Sequence, residues 1–104
     1  MSPLPQKLLT AALHVKWDHG RSEDATAVEL IAARVSGVSA EQCAEASRLA
    51  AALDTAAYAL ADAWHATRGA GPWPSAAELE EAHPGFAGDD YLEAVRKNIL
   101  SARK

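Results

Sequence analysis

Cysteine, methionine and phenylalanine each occur once in the 104 residues, and aromatic residues together make up 6 %. A lone Cys43 leaves no internal disulfide to staple the fold. There is no charged-then-apolar leader and no run of roughly 18 apolar residues, so the expectation is a cytoplasmic protein of a reducing compartment with no membrane segment. Basic residues are also in deficit: 10 Lys and Arg stand against 14 Asp and Glu, giving a net charge of -4. Such a surface repels phosphate backbones, so nucleic acid is not an expected partner. The metal-ligating types His14, His19, His65, His83 and Cys43 form no Cys-x-x-Cys, His-x-x-x-His or Glu-x-x-x-His pattern. Asp62-x-x-His65 and Glu80-x-x-His83 echo the ligand spacing of di-iron bundles, but the further inward Glu residues such a centre needs are missing. Gly69 and Gly71 fit no phosphate-loop spacing. Neither a metal nor a cofactor is expected.

Alanine is what the chain has in quantity, 25 residues. The 49 % hydrophobic content is therefore high in number and low in volume, and the core should be thin. No alternating stretch is long enough for a strand, and the pattern predicts an all-α fold: a single domain over 1–104, a small antiparallel bundle of four to five helices. The first helix should run from Pro5 to about Asp18, with Leu8, Leu9, Ala12, Leu13 and Trp17 inward and Lys7, Thr10, His14 and Asp18 outward. Gly20 and Ser22 mark the stop and the next start. A second helix over 23–36 has Ala27, Val28, Leu30, Ile31, Ala32 and Val35 around most of its circumference, which predicts a central position.

Ser39 with Gln42 is a capping box, and no Pro or Gly interrupts 40–68. A helix of that span is about 43 Å long at 1.5 Å per residue, more than the roughly 34 Å width of an ordinary globule of this size. It should overhang, bend or meet a partner. Ala46, Ala50, Leu53, Ala57, Leu60 and Trp64 form a heptad-like seam on it, and seam and length together predict a homodimer. Gly69, Gly71 and the prolines around Trp73 make a loop. Ser75 with Glu78 then opens a short helix to about Ala82. A last helix follows Asp89 or Asp90, burying Leu92, Val95 and Ile99, with Arg96, Lys97, Arg103 and Lys104 toward its end. The expected core is Leu13, Trp17, Val28, Ile31, Val35, Leu53, Leu60, Trp64, Val95 and Ile99.

Three segments carry possible chemistry. Ala33, Gly37, Val38, Ser39 and Cys43, within about 28–48, resemble a generic helix-turn-helix. Its recognition helix would present Glu41, Gln42 and Glu45 to the groove, where carboxylates meet phosphates. The expected reading is an ordinary helix-to-helix turn, and DNA regulation is the alternative. Tyr58, Asp62 and His65, with Asp54, fall on one side of the long helix, where Asp62 could orient the His65 ring for proton transfer or metal binding. A small enzyme or metal-binding bundle on these residues, with His14 and Asp18 as a second pair, is the other alternative. Cys43 in a first helical turn is expected as a buried small residue, not a nucleophile. Trp73 between two prolines is expected as a plug closing the bundle end, with an exposed partner anchor as the alternative. No catalytic signature stands out from ordinary surface chemistry. The sequence therefore favours a non-enzymatic interaction module, an adaptor, inhibitor or immunity-type regulator. Its binding residues would be Glu41, Glu45, Asp54, Tyr58, Asp62 and Trp73, facing a basic protein partner.

Overall fold

Five helices follow one another: α1 (Gln6–His19), α2 (Asp24–Arg34), α3 (Ala40–Ala66), α4 (Ala76–Ala82) and α5 (Gly88–Ser101). They belong to the described residues of the computed structural model, 4–19, 24–68 and 72–101, among which there is no strand. The signals placed on Gly20, Ser22, Gly69, Gly71, Arg103 and Lys104 lie outside the described residues.

The axis of the bundle is α3, which packs against each of the other four helices. Its start is fixed as the sequence requires. Ser39 Oγ accepts from the Gln42 N–H at 3.1 Å, and Gln42 Oε1 accepts from the Ser39 N–H at 2.9 Å. Two of the N-terminal amides that a helix leaves unpaired are thereby satisfied, at about 1 kcal/mol for such a cap. The helix ends at Ala66, two residues short of the expected limit, where Thr67 Oγ1 donates to the Trp64 carbonyl at 2.6 Å and Arg68 takes a left-handed φ of 59°. The inward stripe is Cys43, Ala46, Ala50, Leu53, Ala57 and Ala61. It departs from the expected seam at the far end, where Ala61 faces inward and Leu60 and Trp64 lie half-buried at the margin. Small side chains here bring neighbouring backbones close, and Leu53 is the one large residue in the row.

That stripe is buried within the chain, so it is not a free seam for a second copy. The length argument changes as well. At 27 residues α3 spans about 40 Å, and the molecule itself is 45 Å long and 17 Å thin. The fold has elongated to match its helix.

Nor is α2 central. Ala27, Ile31 and Val35 face the core, but Ala32 and Ala33 are exposed and Val28 and Leu30 half-buried. Exposed methyl groups cost little, so an apolar circumference made of Ala does not imply burial. In α5 the buried stripe runs Tyr91, Ala94, Val95, Asn98 and Ile99, and Leu92, expected within it, is 61 % exposed. Helical spacing carried back from Val95 and Ile99 reaches Tyr91 as readily as Leu92, and the ring wins because it fills more of a thin core. Trp17, Val28, Leu60 and Trp64 pack against the core without entering it fully, while Leu13, Ile31, Val35, Leu53, Val95 and Ile99 are buried as expected.

Candidate functional site

The residues Asp54, Tyr58, Asp62 and His65 share a side of α3, but the neighbouring helices divide them. Asp54 is half-buried, and its Oδ1 accepts from Trp17 Nε1 at 3.1 Å and from Asn98 Nδ2 at 3.0 Å. It is a joint of α1, α3 and α5, not part of a solvated face. His65 Nε2 lies 2.9 Å from the Ile99 carbonyl oxygen, which can only accept, so that nitrogen carries a proton and is committed to α5. Tyr58 and Asp62 remain exposed, and no hydrogen bond or ion pair joins Asp62 to His65 among the described residues. Further up the helix, Glu41 is exposed and Glu45 pairs with Arg48 three residues on. The expected acidic face is therefore discontinuous.

The segment resembling helix-turn-helix has the turn that its glycine needs, Gly37 at φ 77°. Cys43 is fully buried, as expected of a small core residue, but Ala33, which that motif would bury, is exposed. Among the described residues no three His, Cys, Asp or Glu side chains converge on one point.

Two other places carry more structure. At the first, Asp90 is only 4 % exposed. Its Oδ2 accepts from Thr10 Oγ1 at 2.5 Å and from the Ala87 N–H at 3.2 Å, and its Oδ1 lies 3.5 Å from His14 Nε2. The bond to Ala87 satisfies an amide at the start of α5, where the helix dipole also favours a carboxylate. His14 and Asp18, expected to act together, separate here: His14 turns to Asp90 and Asp18 to Arg34 at 3.1 Å. One residue on, Tyr91 donates its hydroxyl to the His83 carbonyl at 2.6 Å and accepts from the Phe86 N–H at 3.2 Å. Burial pushes the Tyr91 phenol above the ordinary tyrosine range. The Phe86 N–H opposes that rise, and the Glu80 and Asp90 carboxylates add to it. Gly85 at φ 108° lets this loop pass over α1, since a Cβ there would sit 2.9 Å from Leu9 Cδ1.

The second place is the outer face of α5. Trp73, 49 % exposed, rests one edge on Trp64, with ring centroids 6.4 Å apart and planes at 79°. It is neither a closed plug nor free of the core. Beside it, Pro74, Asp89, Leu92, Glu93 and Arg96 complete a shallow cleft of about 470 Å³. Ser75 anchors the approach by accepting from the Ala77 N–H at 3.2 Å, without the return bond expected from Glu78. The charged residues of the cleft are Asp89, Glu93 and Arg96, the last two paired at 3.0 Å, and the segment that holds it, residues 72–101, carries six of the 14 acidic residues, Glu78, Glu80, Glu81, Asp89, Asp90 and Glu93, against Arg96 and Lys97. Of the binding residues expected from sequence, only Trp73 belongs to it. The signal for the rest was the α5 register, which turns on whether residue 91 or 92 faces inward.

No family model matches the chain, and no curated protein or solved structure matches it. No helix among the described residues is long and apolar enough to cross a membrane.

Proposed function

We propose that this chain is a non-enzymatic binding module, and that its partner is a protein segment presenting an apolar side chain flanked by basic residues. The observation that carries the reading is the pairing of half-exposed Trp73 with exposed Leu92 in one cleft. A large aromatic and an aliphatic residue side by side in solvent lose favourable energy until they are covered, and tryptophan is enriched where binding energy concentrates. Proline on both sides of Trp73 reduces the entropy lost when the ring is immobilised. Asp89 at the rim, within the most acidic third of the chain, supplies the electrostatic half of the match, and Glu93 beside it is paired with Arg96 at 3.0 Å.

The test is shift mapping by NMR with two synthetic helical peptides of identical apolar face, one flanked by Lys and Arg and one by Asp and Glu. The basic peptide is expected to perturb residues 73–74 and 89–96, and Leu92→Glu to weaken it by about tenfold or more without lowering the unfolding midpoint. Equal binding of the acidic peptide, or perturbations elsewhere, would overturn the reading. Sedimentation as a dimer that Leu92→Glu disperses would reassign the face to a second copy of the chain.

A further inference from the structure

Another concavity lies away from this face, between the first three turns of α1 and the turn that follows α2. It has a volume of about 590 Å³, within the usual range for small-molecule sites. Its ionisable walls are Lys7, His14 and Arg34, all of cationic type, with Gln6, Thr10 and Ser36 as neutral polar groups between them. In a chain of net charge -4, a cleft whose ionisable side chains are all basic is the reverse of the overall balance.

The acids nearby are already engaged. Asp90 lies beneath, with Thr10, Ala87 and His14 as its partners. It holds the Nε2 side of the His14 ring, so His14 would offer an anion an Nδ1–H donor only as the imidazolium. Asp18 pairs with Arg34 at 3.1 Å, but both groups are exposed. Exposed pairs of this kind contribute little, so Arg34 can exchange that partner for a better one. Lys7 is exposed and in no ion pair among the described residues. The remaining wall, Ala11, Val35 and Ala87, is apolar.

We propose that this cleft binds a small phosphate monoester. Arg34 offers a planar fork that matches two phosphate oxygens, Lys7 a mobile point charge, and His14 a ring already aimed by a carboxylate. A dianionic head would meet these three groups, and a short apolar body would lie on Ala11 and Val35. The Trp73–Leu92 face plays no part, so either proposal can fail alone.

Phenyl phosphate, titrated into the uniformly labelled protein and followed by amide shifts, is the direct test, with benzoate as the carboxylate control. Saturable shifts confined to 6–14, 34–36 and 87 are expected, with benzoate weaker. Lys7→Ala combined with Arg34→Ala should weaken binding by about tenfold or more. Both residues are exposed, so the double variant should keep its unfolding midpoint, and Lys7→Arg alone should retain binding. Three outcomes would overturn the assignment: no saturation, undiminished binding by the double variant, or benzoate binding as tightly as phenyl phosphate.

Discussion

Between α1 and α3 the join is almost wholly apolar: Leu8, Leu9, Ala12, Leu13 and Val15 lie in one cluster with Ala46, Ala50, Leu53 and Ala57. Between α1 and the segment holding α5 the join is made of hydrogen bonds. Gln6 Nε2 donates to the Phe86 carbonyl at 3.3 Å, Thr10 to Asp90, and Trp17 to the Asp54 oxygen that also takes Asn98. The partners advance together along both helices, so α1 and α5 run the same way, with side chains rather than packed backbones bridging them. The two joins teach different lessons about an alanine-rich chain. Where backbones can close up, small residues suffice. Where they cannot, polar side chains with reach must span the gap, and each then depends on a specific partner.

Substitutions should separate the two joins, most severely in the apolar one. Leu53→Ala removes the one large side chain from the buried row of α3 and should cost about 3 kcal/mol in urea unfolding, with the slope unchanged. A loss near 1 kcal/mol would mean that the row collapses onto the gap. Next comes the polar join: Asp90→Ala strands the Thr10 hydroxyl and the Ala87 N–H and should cost about 2 kcal/mol. Thr10→Ala in the same background should add little, since the pair acts as a unit, and full additivity would contradict the joint.

The smallest expected effect is Tyr91→Phe, about 1 kcal/mol at neutral pH from the bonds to His83 and Phe86. Its pH dependence is distinctive. The unfolded chain ionises this phenol near the ordinary tyrosine value of 10.0, while the folded chain holds the proton to higher pH. Above that value the unfolded state binds fewer protons, so wild-type stability falls as pH rises until the folded phenol ionises too. The gap between wild type and Tyr91→Phe should narrow in that window when both are unfolded side by side. A constant gap would place the raised phenol elsewhere.

Helix number, the Ser39 cap and most of the core were legible because period and capping are local. Burial was harder to read wherever it rested on alanine: the apolar circumference of α2 suggested a centre that proved to be α3. Helical spacing puts Asp54, Tyr58, Asp62 and His65 on one side of α3, yet no spacing on one helix could reveal that Asp54 meets Trp17 or that His65 meets Ile99. Asp90 was visible only as a helix start. Its partners Thr10 and His14 lie about eighty residues away in sequence, and only the fold brings the three together.

That separation in sequence has a kinetic consequence. The three leading helices are consecutive and can pack with short loop closures, whereas Gln6 meets Phe86 and Thr10 meets Asp90 across 80 residues. A closure that long should be among the last events of folding. The polar join would then be absent from the transition state, and weakening it would shorten the lifetime of the folded chain while leaving its rate of formation nearly untouched. Asp90 would thus act as a latch on a structure already assembled, governing how long the bundle stays closed.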